Sequence, residues 1–153
     1  MLRCSFSKEL ESLQATQALA HSFAELAQVG DVYLLNGPVG AGKSAFARAF
    51  ILACLDVPED IPSPTFTLVQ TYDTKAFEIW HCDLYRLSSA QEVFELGLDD
   101  VFETGVSLIE WPDRLGELSP TSALHIALSG DDDSRQITAH SSDAKWDKLG
   151  HLF

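Results

Sequence analysis

The stretch of sequence that decides the fold is Gly37-Pro38-Val39-Gly40-Ala41-Gly42-Lys43-Ser44. It fits the pattern G-x-x-x-x-G-K-[ST], the P-loop that binds nucleotide phosphates. Glycines allow the backbone of such a loop to curl so that successive N–H groups point at phosphate oxygens. Lys43 is then expected to reach the β- and γ-phosphates, and the Ser44 hydroxyl to ligate Mg²⁺. The stretch therefore predicts a nucleotide site.

The flanking residues have the secondary structure that a P-loop requires. Residues 31–36 read as a strand, and residues 44–54 read as a helix whose N-terminal dipole favours an anion. Strands alternating with helices around a P-loop predict the α/β class. We expect a three-layer P-loop NTPase fold with a mostly parallel central sheet and antiparallel edge strands. One such domain should span residues 1–153.

Hydrophobic periodicity and turn residues predict the remaining elements. They are an edge strand over 2–7, a helix capped by Ser12 that ends at Gly30, a loop over 56–64, a hairpin of 65–72 and 76–82, a helix over 88–98 that closes near Gly97, a strand over 106–109, and a C-terminal hairpin with its turn at 129–134.

The charge balance argues against direct nucleic-acid binding. The chain has 153 residues and a net charge of −13, from 10 basic and 23 acidic residues, and its five arginines are isolated from one another. Such a surface repels nucleic acid and anionic membranes unless a local basic patch intervenes. Any role on RNA is therefore expected to pass through a partner.

Cysteine usage and hydropathy predict a cytoplasmic protein without a membrane role. The three cysteines have no zinc-site spacing, and their odd number favours a reducing compartment. The N-terminus lacks the apolar segment of a signal peptide. The longest apolar run, residues 49–55, is too short to cross a bilayer.

Two acids follow predicted strands, where they can serve bound phosphates. Glu110 comes after residues 106–109, and Asp83 comes after residues 77–82. Ligands of α/β sheets bind at the carboxyl ends of the strands. Both acids are therefore candidate catalytic residues and, with Ser44, candidate Mg²⁺ ligands, with roles that could be exchanged. The competing interpretation is a pair of ordinary acids at strand ends.

The run Ser63-Pro64-Thr65-Phe66-Thr67 is unusual. Its hydroxyls beside rigid prolines could sense a γ-phosphate as a switch loop does, or could form an ordinary turn. The residues alone leave both interpretations of this run open.

The residues also leave two interpretations open for Trp111, which is either a core residue or an exposed aromatic that faces a partner. His81 is expected to be packed or hydrogen-bonded rather than a catalytic base.

Four runs together resemble the TsaE (YjeE) family of small bacterial ATPases. They are Gly40-Ala41-Gly42-Lys43-Ser44, Ser63-Pro64-Thr65-Phe66-Thr67, His81-Cys82-Asp83-Leu84-Tyr85-Arg86 and Glu110-Trp111-Pro112. The P-loop is common to many families, but the other three runs in this order are specific to this one. Ser44 stands where the family usually has Thr, which keeps the hydroxyl. The resemblance favours Thr65 as a switch residue and Asp83 and Glu110 as catalytic acids.

The resemblance implies a Mg²⁺-dependent ATPase that assists synthesis of N6-threonylcarbamoyladenosine in tRNA. Family members work with TsaB and with TsaD, which carries out the transfer, and ATP hydrolysis resets the complex between turnovers. The implied partners are TsaB and TsaD, with tRNA contacted only indirectly. The implied catalytic residues are Asp83, Glu110, Lys43 and Thr65. The expected ATP contacts are Gly37, Val39, Gly40, Ala41, Gly42, Lys43, Ser44 and Phe46.

Other nucleotide-dependent functions have less support. A small-molecule kinase usually closes an arginine-rich lid over the phosphates, and no such cluster occurs in this sequence. A GTPase would need an Asn-Lys-x-Asp run, which is also missing. A nucleotide-gated binding module that hydrolyses ATP slowly differs little from the favoured interpretation.

Overall fold

The structure, a computed structural model, describes residues 4–38, 40–64, 68–89, 91–131 and 134–153. Seven strands lie in these ranges: β1 Cys4–Leu10, β2 Val32–Asn36, β3 Val69–Asp73, β4 Glu78–Asp83, β5 Val106–Glu110, β6 Leu124–Gly130 and β7 Arg135–Ser141. The α-helices are α1 Leu13–Glu25, α2 Lys43–Cys54, α3 Gln91–Glu95 and α4 Leu98–Thr104. Two 3₁₀ helices follow, over Pro112–Leu118 and Ala144–Leu152.

All seven strands form one sheet in the order β1-β7-β6-β2-β5-β4-β3. The four central strands β6, β2, β5 and β4 are parallel. Strand β3 pairs antiparallel with β4 at one edge, and β7 and β1 continue antiparallel from β6 at the other. The expectation of a mostly parallel centre with antiparallel edges is confirmed. The pairing of β1 with β7 joins the two ends of the chain in the same sheet.

Strand β2 shows why the sheet is covered on both faces. Its residues are almost continuously apolar, as parallel strands buried on both sides are. Tyr33 and Leu35 belong to one hydrophobic core, and Val32 and Leu34 belong to a second. The first core includes Phe23, Phe46 and Phe50 of α1 and α2, whereas the second includes Leu98 of α4 and Leu115 of the first 3₁₀ helix. Helical layers therefore lie on both sides of the sheet.

The predicted helix over 88–98 is shorter in the structure, where α3 covers Gln91–Glu95, but its expected end near Gly97 is confirmed. Gly97 has a φ of 104°, a left-handed conformation that interrupts the helix between α3 and α4. A second helix then begins at Leu98 and buries Leu98 and Val101 against the sheet. Asp99 and Asp100 are exposed and lie in the first turn of α4. There their charges complement the helix dipole.

The C-terminal 3₁₀ helix was not expected from the sequence. Trp146 is fully buried in the first core and donates its indole N–H to the Ser122 carbonyl at 2.7 Å. Lys145 and Lys148 flank it and contact the buried Asp31 carboxylate, at 3.3 and 2.6 Å. Across the described ranges, no helix combines the length and the apolar character that crossing a membrane requires.

Candidate functional site

The P-loop lies between β2 and α2, as the sequence predicted. Gly37, Gly40 and Gly42 have positive φ values of 141°, 84° and 106°. At Gly37 a Cβ atom would collide with the Leu128 carbonyl, and at Gly42 with the Arg135 guanidinium. These glycines are therefore required both by the backbone conformation and by close packing.

Lys43 begins α2 and turns back over the loop. Its ammonium donates to the Gly37 carbonyl at 2.7 Å and lies 3.8 Å from the centroid of the Trp111 ring, a cation–π contact. Burial lowers the pKa of Lys43, and the carboxylates of Glu110 and Asp83 partly oppose that shift. The lysine is thus positioned inside the loop with acids nearby, as a phosphate-binding lysine must be.

The two candidate acids lie side by side at the same sheet edge. The parallel register of β4 and β5 pairs Asp83 with Glu110. The Ser44 hydroxyl donates to Oε1 of Glu110 at 3.2 Å, and Oδ1 of Asp83 accepts the backbone N–H of Tyr85 at 3.0 Å. Asp83 is 7% exposed and Glu110 is 3% exposed. Lys43, Ser44, Asp83 and Glu110 are therefore brought together, as the sequence predicted.

His81 holds the other oxygen of Glu110. Its Nε2 lies 2.7 Å from Oε2 of Glu110, and both side chains are almost fully buried. His81 and Asp83 are two residues apart on β4, so both face the side of the sheet that carries Glu110. The expectation of a hydrogen-bonded histidine is confirmed, and its partner is the candidate metal ligand.

A cavity of about 620 Å³ opens above these residues. That volume lies within the range of small-ligand and cofactor sites. The lining combines P-loop residues, both acids and side chains from four other segments: Leu13, Gly40, Gly42, Lys43, Ser44, Ala45, Asp83, Tyr85, Arg86, Glu110, Trp111 and Arg135.

Trp111 forms part of the cavity wall. It is partly buried and packs beside the second core, and its ring contacts the ring of Tyr85 in a tilted arrangement, with the centroids 4.9 Å apart. Tyr85 is 51% exposed. Its φ of 57° is left-handed and directs the chain from β5 into the first 3₁₀ helix. Trp111 is thus neither a fully buried core residue nor a fully exposed aromatic. It packs beside the core, and the exposed aromatic surface next to it belongs to Tyr85.

Some predicted contacts are placed elsewhere or lie outside the described residues. The Phe46 ring packs in the core against Phe23, and its N–H donates to the Gly42 carbonyl at 2.9 Å. Ala41 is buried. Val39 and Thr65 lie outside the described residues.

Arg135 is a charged cavity residue that was not predicted from the sequence. It begins β7, is 8% exposed and donates from Nη2 to the Gly40 carbonyl at 3.3 Å. No local pattern around it indicates a role, because its partner lies 95 positions away in the chain. Only the pairing of β6 beside β2 brings the two together.

Comparisons with known proteins agree on one family. The family model described as "Threonylcarbamoyl adenosine biosynthesis protein TsaE" matches residues 10–137. The chain is 40% identical over 128 residues to the tRNA threonylcarbamoyladenosine biosynthesis protein TsaE of Rickettsia bellii, covering 84% of this chain and 89% of that protein. It is 37% identical over 127 residues to the Bacillus subtilis protein of the same name, covering 82% and 78%.

A solved structure is similar over nearly the whole chain. The crystal structure of Bacillus subtilis YdiB superposes with a TM-score of 0.80 at 30% sequence identity, covering 99% of this chain and 95% of that one.

Proposed function

Because this chain belongs to the TsaE family, we propose that it binds and hydrolyses ATP as an accessory protein for N6-threonylcarbamoyladenosine modification of tRNA, acting on a TsaB–TsaD complex. The relatives with this name are biosynthesis proteins of the same modification. The observation that carries the ATPase role is the Ser44 hydroxyl 3.2 Å from Glu110, at the N-terminus of the P-loop helix. The three-layer P-loop NTPase fold is part of the same proposal.

The donor set beside the P-loop fits Mg²⁺. Ser44, Glu110 and Asp83 supply a hydroxyl and two carboxylates at one sheet edge. No group of three or more His, Cys, Asp or Glu side chains suited to a metal ion occurs in the described part of the chain. Mg²⁺ does not need such a cage, because it usually keeps several waters and binds through one or two carboxylates plus substrate phosphates. When bound, it would neutralise charge on the β- and γ-phosphates.

The geometry suggests a division of roles among the polar residues. Lys43 supplies a point charge to the β- and γ-phosphates, and glycine N–H groups hold the phosphate oxygens. One oxygen of Glu110 accepts a hydrogen bond from Ser44, and the other contacts His81. Glu110 is therefore the carboxylate that we assign to Mg²⁺ binding. Asp83 is then the group that orients the attacking water. Catalysis of this kind consists of positioning and electrostatic stabilisation.

The tRNA role is proposed to depend on partners. A chain of net charge −13 has little attraction for a polyanion. Tyr85 is exposed and contacts Trp111, whose ring in turn contacts the Lys43 ammonium, so a protein bound at Tyr85 would sense the nucleotide site. Aromatic side chains are common interface anchors. The free thiols of Cys4, Cys54 and Cys82 fit the cytoplasmic location that we propose.

Phosphate release from ATP tests this proposal. The assay compares the protein alone, with purified TsaB and TsaD, and with a panel of small metabolites, each with Mg²⁺ and with EDTA. We expect slow, Mg²⁺-dependent release that the two partners stimulate. Stimulation by a metabolite that becomes phosphorylated, without stimulation by the partners, would favour a small-molecule kinase instead.

A further inference from the structure

We infer that Arg135 is a positioning residue that holds the P-loop in its phosphate-receiving shape and forms the cavity wall opposite the two acids. This inference rests on the proposed function, since it concerns the same nucleotide. It adds a residue that comes from the C-terminal hairpin, which the sequence did not connect with the site.

The contacts of Arg135 link two loops. Its Nη2 donates to the Gly40 carbonyl at 3.3 Å, and its Nε donates to the Asp131 carbonyl at 3.2 Å. The guanidinium also packs against Gly42 so closely that a Cβ atom there would collide with it. The side chain therefore joins the β6–β7 turn to the middle of the P-loop.

The Gly40–Ala41 peptide unit is fixed from both ends. Its carbonyl accepts from Arg135, and its N–H donates to the Pro38 carbonyl at 3.1 Å. A trans peptide is planar, so anchoring the carbonyl also fixes the direction of the N–H. Glycines with positive φ have wide conformational freedom when unrestrained. Arg135 thus limits the alternatives of the loop before any ligand binds, which lowers the ordering cost of binding.

Sheet topology places Arg135 on the far side of the P-loop from the metal acids. Strand β5, which ends at Glu110, flanks β2 on one side, and β6 flanks it on the other. Arg135 begins β7, opposite Gly130 at the end of β6. Ser44, Asp83 and Glu110 would hold Mg²⁺, which would neutralise charge on the terminal phosphates, so in the proposed function the acids mark the γ end of the nucleotide. Arg135 therefore acts on the part of the site that ATP and ADP share.

Its charge adds to this effect. Arginine carries a planar, positively charged guanidinium, and the Arg135 side chain is almost excluded from solvent at the cavity wall. A fixed positive charge in such a place attracts phosphate more strongly than an exposed one does. Lysine keeps the charge but lacks the planar fork that can reach Gly40 and Asp131 together.

The test compares Arg135→Gln and Arg135→Lys with Arg114→Gln, an exposed arginine outside the cavity, as the matched control. Affinities for Mg-ADP and Mg-ATP are measured by calorimetry, and KM and kcat by phosphate release. We expect Arg135→Gln to weaken both affinities about tenfold, the size of one charge-assisted hydrogen bond. KM should rise by more than kcat falls, and Arg135→Lys should recover part of the affinity.

Deuterium exchange of the nucleotide-free protein gives a second readout. The peptide containing residues 37–44 should exchange faster in Arg135→Gln than in the parent or in Arg114→Gln, with melting temperatures showing that each variant is folded. If the parent binds ATP and the folded Arg135→Gln variant matches it in affinity and loop exchange, the inference about Arg135 is overturned while the proposed function stands. If the parent does not bind ATP at all, the proposed function fails first.

Discussion

Glu110 has both carboxylate oxygens engaged, one by the Ser44 hydroxyl at 3.2 Å and one by His81 at 2.7 Å. Each contact fixes one direction of the carboxylate plane, so the side chain is held in one orientation at the end of β5. Active-site groups held this way lose little entropy when the ligand arrives. At the scale of single residues, the site is thus organised around one oriented acid.

The substitution Glu110→Gln should affect ATP hydrolysis more than ATP binding. Glu110→Gln keeps the size but removes a charge that Mg²⁺ would contact. We expect hydrolysis to fall by a factor of about 100 or more, with a smaller loss of ATP affinity. Asp83→Asn should also reduce hydrolysis. Single-turnover phosphate release measures hydrolysis, and equilibrium ATP binding measures affinity. Hydrolysis at the parent rate in both variants would show that the two acids have only a structural role.

The cysteines are expected to be unreactive in the folded protein. Burial raises the pKa of Cys82 to about 12 and of Cys54 to about 11, and also raises that of Cys4. The thiolate is the reactive form, so at pH 8 only about one Cys54 thiol in a thousand is ionised. A disulfide reagent added at pH 8 should label the native protein slowly and the urea-unfolded protein completely. A fast stoichiometric phase with the native protein would contradict the burial of these thiols.

Among the helices, strands and turns, those predicted correctly from the sequence are the ones that a pattern of neighbouring residues specifies. The P-loop, β2 and α2 follow from the glycine pattern and an apolar run, and the C-terminal hairpin follows from alternation on both sides of a polar turn. The end of α3 near Gly97 was predicted from that glycine, but the short helix α4 that follows it was not. The position of Arg135 and the 3₁₀ helix around Trp146 depend on pairing between distant segments, which periodicity does not encode.

The buried Asp31 connects the last element to the sheet. Its carboxylate contacts Lys145 and Lys148 and also accepts the Gln28 N–H at 2.9 Å. We expect Asp31→Asn to lower the free energy of unfolding by about 2 kcal/mol, since a buried site loses charge-assisted bonds while both lysines remain partly exposed. Urea unfolding measures the change.

Asp56→Asn is the matched control for that experiment. Asp56 lies 3.9 Å from Lys75, and both side chains are largely exposed. An exposed pair at this distance contributes about 0.5 kcal/mol or less. Equal effects of the two substitutions would show that the Asp31 cluster does not hold the C-terminal helix.

Over the molecule as a whole, strong negative charge surrounds a site that is proposed to bind another anion. Lys43, Arg86 and Arg135 line the cavity and concentrate positive charge where phosphates are proposed to bind. The remaining surface carries most of the acids behind the net charge of −13. Such a molecule can attract a nucleotide locally while repelling an extended polyanion such as tRNA.

The charge of the whole protein predicts that it depends on partners for any role on tRNA. The protein alone should not retain tRNA in a mobility-shift assay at physiological salt. With ATP it should co-elute with TsaB and TsaD. Trp111→Ala, which removes the ring that covers Lys43 and contacts Tyr85, should weaken that complex or uncouple hydrolysis more than it lowers the melting temperature. Tight binding of free tRNA, with no co-elution under any nucleotide condition, would overturn the partner role.

The proposed ATP-dependent role in tRNA modification can be tested by measuring N6-threonylcarbamoyladenosine in tRNA from bacteria depleted of their own TsaE. The cells receive either this chain or its Lys43→Ala variant, at matched soluble levels. In the proposed function Lys43 places a positive charge beside the nucleotide phosphates, so its loss should remove ATP-dependent function while α2 keeps its packing. We predict that the parent chain restores the modified nucleoside and that Lys43→Ala does not. Failure of the folded parent to restore it, or equal restoration by both proteins, would contradict an ATP-dependent role in this modification.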